Sequence, residues 1–186
     1  MIVPKEDEFK APESMTPAEL GDHLARLVWE SFSDFMTAPG SSTLLNRLGL
    51  LDEDGEPTTR ADEEALIFLL WAHTRGIQQA YKDRNTPGLA KDALDALHRA
   101  VFEDLVSNGM NESETPLFEQ RVSARYARYS QAAQVSDEAV GAQVVASLTG
   151  DPVPQVDDAA VELATWAVAV TRPVRDFYTE VALVEG

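Results

Sequence analysis

The stretch Ala65-Leu66-Ile67-Phe68-Leu69-Leu70-Trp71-Ala72 is an uninterrupted apolar run inside a longer segment with helical spacing. A second apolar run covers residues 159–170, where only Glu162 and Thr165 interrupt it. A helix that is apolar on every side has to be surrounded by protein, so both runs are predicted to be central helices. The run at 65–72 is far shorter than the ~20 residues that span a bilayer, so it does not predict a membrane segment.

Helix-start signals extend outward from these two runs. Thr16-Pro17 with Glu19 combines an N-cap, a proline in the first helical position and a capping-box glutamate. The remaining predicted caps are Thr59, Thr86, Thr115, Ser136 and Asp157. They predict an all-α, single-domain helical bundle of about six helices with no sheet: 17–37, 59–83, 87–107, 115–133, 136–148 and 157–182.

Three finer expectations follow from the same pattern. Residues 43–50 are expected to add a short helical turn within the first long loop. Pro173 is expected to kink the last helix or to end it, because a proline inside a helix removes a backbone hydrogen bond. Residues 1–14 are predicted to be a partly flexible N-terminal extension, and residues 15–186 to form the domain.

Charge is the most unusual property of the chain, which has 32 acidic and 15 basic residues and a net charge of −17. Such a field repels nucleic acids and anionic lipid surfaces, so neither is predicted as a partner. The bases are four lysines and eleven arginines, a balance typical of proteins adapted to high salt (halophilic adaptation). An acidic protein from a high-GC genome is the alternative interpretation. The lack of cysteine and of a visible export signal favours a cytoplasmic protein.

The three histidines, His23, His73 and His98, fall on three different predicted helices. None forms an i,i+3 or i,i+4 pair with another histidine, and the best acid–histidine pair, Asp95 with His98, occurs only once. No metal site is therefore predicted, and no cofactor. No Gly-rich phosphate loop, G-x-S-x-G or H-E-x-x-H motif occurs, so no catalytic residue is predicted and a non-enzymatic role is favoured.

Two groups of residues are candidates for binding. Trp71, His73, Arg75 and Trp166 are predicted to flank an apolar pocket between the helices 59–83 and 157–182. Arg121, Arg125 and Arg128 form a basic stripe beside Tyr126 and Tyr129. This second group is interpreted as a protein-binding surface, as a site for an anionic small molecule, or as a set of internal or intersubunit partners for acidic helices.

The length, acidity, helical character and late aromatic residues Trp166, Phe177 and Tyr178 are broadly similar to those of cytoplasmic maturation chaperones of redox enzymes. The Pro-x-Asp-His signature of that family does not occur, since Pro154-Gln155-Val156-Asp157 continues with Asp158. No residue role is carried over from the resemblance. The leading hypothesis is an acidic, self-associating protein-interaction module, adaptor or chaperone-like, with a protein partner or a homodimer. The alternative is a small-ligand-binding helical protein or enzyme that uses the apolar pocket.

Overall fold

The computed structural model describes residues 12–186, so most of the extension predicted for residues 1–14 lies outside the described residues. Within the described range the chain forms seven α-helices, and a 3₁₀ turn at Glu112–Glu114 precedes the fifth. The helices are α1 (Pro17–Thr37), α2 (Pro39–Arg47), α3 (Thr59–Tyr81), α4 (Pro87–Ser107), α5 (Thr115–Ala133), α6 (Asp137–Thr149) and α7 (Asp158–Thr179). The predicted all-α bundle is confirmed. The short helix expected at 43–50 begins earlier, because Pro39 provides a helix start directly after α1.

Two short strands are the departure from the expectation of no sheet. β1 (Ser14–Met15) and β2 (Ala182–Leu183) pair in parallel, with Ser14 opposite Ala182 and Met15 opposite Leu183. The amide of Val184 donates to the carbonyl of Met15 at 3.0 Å. Two residues carry no alternation of polar and apolar side chains, so a pair of this size gives no periodic signal. It ties the end of the chain to the start of α1.

α3 is the central helix of the bundle, as its sequence predicts. Every residue from Ala65 to Ala72 is buried, and α3 packs against α1, α4, α5, α6 and α7. α7 differs from the prediction that it too is surrounded by protein. Its inner side is buried, but Val161 is 47% exposed and Ala169 is also exposed. Small apolar residues on its outer side give α7 an apolar sequence without requiring burial.

The predicted caps are met at three of the helix starts. Thr16 forms the full capping box with Glu19, while Ser136 and Asp157 accept from the amides of Ala139 and Ala160. The cap of α3 is Thr58, one residue before the predicted Thr59. Thr86 and Thr115 were expected to cap as well, but neither hydroxyl has a hydrogen-bond partner. The proline that follows each of them sets the helix start without a side-chain cap.

Close packing of helix backbones fixes α7 against its neighbours. A Cβ on Gly76 would lie 2.9 Å from the Thr171 carbonyl oxygen, so the missing side chain lets α7 approach α3 closely. Thr171 also donates its hydroxyl hydrogen to the Ala72 carbonyl at 3.1 Å. α7 continues through Pro173 to Thr179, so the proline does not end the helix.

None of the helices between residues 12 and 186 combines the length and the apolar character needed to cross a bilayer.

Candidate functional site

A cavity of about 520 Å³ lies between α1, α3 and α7. The backbones of α1 and α7 both pack closely on α3 but lie further from each other, and the cavity occupies the space between them. The lining side chains recur at helical spacing on α1 and α7, so one face of each helix forms a wall. They are His23, Leu27, Glu30, Ser31 and Asp34 from α1, His73 from α3, and Trp166, Ala169, Val170, Pro173, Val174, Phe177 and Tyr178 from α7.

His73 is a buried polar group of the cavity wall, with only 2% of its surface exposed. Its Nδ1 lies 2.8 Å from the Leu69 carbonyl oxygen, which can only accept, so Nδ1 carries the proton. The unprotonated Nε2 faces the Ser31 hydroxyl at 3.3 Å, and Ser31 therefore donates to it. Burial lowers the pKa of His73 to about 4, an effect that the Leu69 hydrogen bond only partly offsets. His73 is a neutral imidazole in a fixed tautomer at neutral pH.

His23 contributes a second imidazole, from α1. Its Nδ1 shares a hydrogen bond of 2.6 Å with the hydroxyl of Tyr178. Burial lowers the pKa of His23, with Arg26 adding to the effect and Glu30 opposing it. Burial also raises the pKa of the Tyr178 phenol, so this pair holds no net charge near neutral pH.

The rest of the cavity is apolar with an acidic side. Leu27, Val170, Val174 and Phe177 supply aliphatic and aromatic surface, while the exposed carboxylates Glu30 and Asp34 line the same space. No lysine or arginine is among the lining residues. Trp166 is held in place by Phe35, whose ring lies edge-on at a centroid distance of 5.1 Å. The walls are therefore preformed.

Ser31 and His73 are the residue types of a catalytic nucleophile and its general base, but their surroundings favour ligand binding over catalysis. Ser31 lies inside α1, where the nearby backbone amides are engaged in helix hydrogen bonds and cannot stabilise an oxyanion. A base works best when its pKa lies near the working pH, and that of His73 is about 4. The pair presents the Ser31 oxygen to the cavity as an acceptor.

The structure separates the four residues that were predicted to flank one pocket. His73 and Trp166 line the cavity, whereas Trp71 and Arg75 do not. Trp71 donates from Nε1 to the Ser130 hydroxyl at 3.2 Å, and the Arg75 guanidinium lies over the Trp71 ring at 5.4 Å. Successive helix residues are rotated by about 100°, so Trp71 and Arg75 share one face of α3 while His73 lies on the other. The four residues therefore do not meet at this cavity.

The sequence interpretation missed the contribution of α1. His23, Leu27, Ser31 and Asp34 repeat at i, i+4, i+8 and i+11, which places them on one helix face. That signal is present in the sequence. It becomes informative only once α1 and α7 are known to flank the same side of α3.

Two of the three arginines in the predicted stripe on α5 pair with glutamates of α3. Arg125 binds the buried carboxylate of Glu64 through two hydrogen bonds, and Arg121 pairs with Glu63. Arg128 is exposed. The two tyrosines of the predicted stripe also face inward: Tyr129 is fully buried beside Trp71, and the Tyr126 hydroxyl lies 2.8 Å from Nε2 of His98.

The three histidines do not converge. His23 and His73 line the α1–α3–α7 cavity, whereas His98 lies on α4 and bonds to Tyr126 of α5. Across residues 12–186, no group of three or more histidine, aspartate or glutamate side chains could hold a metal ion.

Comparisons of the chain with protein-family models, with curated proteins and with solved structures found no match.

Proposed function

We propose that this protein binds a small, largely apolar molecule in the cavity between α1, α3 and α7. The observation that carries the proposal is a preformed cavity of about 520 Å³ whose apolar walls hold a few fixed polar groups. Ligand pockets typically measure roughly 300–1,000 Å³ and combine these two properties. The cavity therefore suits an organic molecule of a few hundred daltons.

The polar groups of the cavity are fixed before any ligand arrives. A hydrogen bond to the Leu69 carbonyl fixes the His73 ring, and a hydrogen bond with the Tyr178 hydroxyl fixes the ring of His23. Phe35 holds Trp166. Groups that are already ordered lose little conformational entropy on binding, so they favour affinity. Because both histidines are neutral, they place no charge beside an apolar group that binds in the cavity.

Titration with N-phenyl-1-naphthylamine, a neutral apolar dye that fluoresces when it leaves water, tests the proposal. Val170→Trp should fill the cavity and weaken dye binding at least ~10-fold, because Val170 lines it. Val161→Trp is the matched control, since it adds the same ring to the same helix at a position 47% exposed to solvent. Saturable binding lost only in Val170→Trp supports the proposal. No saturable binding, or equal binding by both variants, overturns it.

Protein binding, with self-association into a homodimer, is the second candidate function. It is favoured by Val153, Val156 and Val161, which are 59%, 64% and 47% exposed within one short stretch of chain. The internal pairing of Arg121 and Arg125 removes two of the residues first assigned to such a surface. Light scattering at micromolar concentration separates the candidates, because a monomer that carries a co-purified small molecule contradicts this one. Both roles are compatible with the cytoplasmic location that the sequence predicts.

A further inference from the structure

We infer that the ligand of the α1–α3–α7 cavity is an organic cation, an apolar body that ends in a protonated amine. This cation preference rests on the binding function proposed above and narrows it to one chemical class. It follows from the distribution of charge, acceptors and aromatic rings around a single space.

The charges that line the cavity have one sign. Glu30 and Asp34 both line it, and no salt bridge joins either of them to another side chain within residues 12–186. They are four residues apart on α1, so the two carboxylates lie on the same face of the helix. Like charges at this spacing destabilise a helix, and a bound cation would relieve that repulsion.

The cations of the surrounding helices face elsewhere. On α7, Arg172 and Arg175 lie with Arg75 of α3 around a separate depression. On α1, Arg26 lies beside Asp22 and Glu19 at another surface site, although its charge is felt by His23. The two imidazoles of the cavity add no positive charge when neutral. Nothing that lines the cavity therefore neutralises its carboxylates.

The Ser31 hydroxyl, which lines the same cavity as these carboxylates, is an acceptor. The Ser31 hydroxyl gives its hydrogen to Nε2 of His73, so its oxygen lone pairs remain available. Ser31 lies between Glu30 and Asp34 in the sequence and lines the same cavity. A primary ammonium group carries three N–H donors and no acceptor, so its hydrogen-bonding groups match a wall that offers a hydroxyl oxygen and two carboxylates.

The aromatic rings that line the cavity also favour a ligand that combines a cation with an apolar body. Trp166 and Phe177 line the cavity opposite α1, and the faces of such rings attract cations as well as apolar groups. A carboxylic acid of the same shape would bring a third negative charge beside Glu30 and Asp34. The net charge of −17 adds a long-range field that draws cations toward the protein.

Three probes with one apolar body test the inference: 4-phenylbutylamine, 4-phenylbutanol and 4-phenylbutyrate, each used to displace N-phenyl-1-naphthylamine. The amine should compete about tenfold better than the alcohol, and the acid should compete worst. In the variant Glu30→Gln with Asp34→Asn the amine should lose this advantage while the dye still binds. Glu19→Gln with Asp22→Asn removes the same charge outside the cavity and should retain the amine preference.

The outcomes separate the two proposals. If the dye does not bind saturably, the binding function itself is wrong. If the dye binds and Val170→Trp blocks it, but the alcohol competes as well as the amine, only the cation preference is wrong. A preference that survives in the Glu30→Gln, Asp34→Asn variant, or disappears equally in the outer pair, also overturns it.

Discussion

Arg125 of α5 binds the carboxylate of Glu64 on α3 through two hydrogen bonds. Its Nε lies 2.9 Å from Oε2, and a terminal guanidinium nitrogen lies 2.7 Å from Oε1. The Glu64 side chain is only 2% exposed, so Arg125 provides the compensation for a charge taken out of water. Arg125→Ala should lower the free energy of unfolding by about 3 kcal/mol, because it leaves that carboxylate buried and unpaired. Urea denaturation followed by far-UV circular dichroism measures the change.

Arg128→Ala is the control for this prediction, since Arg128 lies one turn further along α5 and is exposed. Its effect should stay within about 0.5 kcal/mol. The double variant Arg125→Met with Glu64→Leu removes both charges and should recover most of the lost stability. Equal losses in Arg125→Ala and Arg128→Ala would contradict the assignment of Arg125 as an internal partner.

The parts of the fold that depend on local sequence were predictable. The apolar run at 65–72 identified the central helix, and Thr16, Ser136 and Asp157 marked three helix starts by hydrogen bonds within one turn. Helical periodicity and capping involve neighbours in the chain, so they can be recognised without the tertiary structure.

The cavity could not be predicted in the same way, because it depends on how distant helices are arranged. His73 directly follows the apolar run at 65–72 and Trp166 lies within the run at 159–170, so the sequence points to both. His23, in contrast, is 155 residues from Tyr178, with which it shares a hydrogen bond. Trp71 and Arg75 are close to His73 in the sequence but do not line the cavity. Adjacent helix residues diverge by about 100°, so neighbours in sequence line different sides of a helix.

The buried neutral state of His73 makes stability depend on pH. The pKa of His73 is about 4 in the folded protein and 6.5 in an unfolded chain, so between these values the unfolded chain binds more protons. The stability that comes from the neutral, buried His73 is therefore present above pH 6.5 and is lost as the pH falls toward 4. Between pH 7 and pH 5 the loss amounts to about 2 kcal/mol of unfolding free energy.

Comparison with His73→Asn isolates this contribution from the titration of the carboxylates. The variant should be less stable at pH 7 but lose less stability than the native chain between pH 7 and pH 5. His23→Asn serves as the comparison, because His23 is half-buried and its pKa is lowered in the same direction. Parallel stability curves for His73→Asn and the native chain would show that His73 does not hold a depressed pKa.

Gly141 sets the distance between α6 and α7. A Cβ at this position would overlap the carbonyl oxygen of Ala160 and lie 3.0 Å from the amide nitrogen of Ala164, both of them backbone atoms that cannot turn aside. Gly141→Ala should therefore cost about 2 kcal/mol of stability, although alanine is the better helix former. Gly88→Ala in α4 is the control: its Cβ meets nothing within 4 Å, and it should stabilise by about 0.5 kcal/mol. Thermal denaturation of both variants measures the difference, and a gain in Gly141→Ala would contradict this packing.

The net charge of −17 predicts that salt stabilises the fold. Carboxylates crowd together more closely in the folded chain than in the unfolded one, and their mutual repulsion is screened when the Debye length falls from ~30 Å at 0.01 M salt to ~3 Å at 1 M. The melting temperature should rise over this range of KCl and then level off. Sodium chloride is the control, because screening depends on ionic strength and not on the identity of the cation. An equal rise in both salts supports adaptation of the charge to a salty environment; a rise in KCl alone would indicate specific potassium binding, and an unchanged midpoint would contradict the halophilic interpretation.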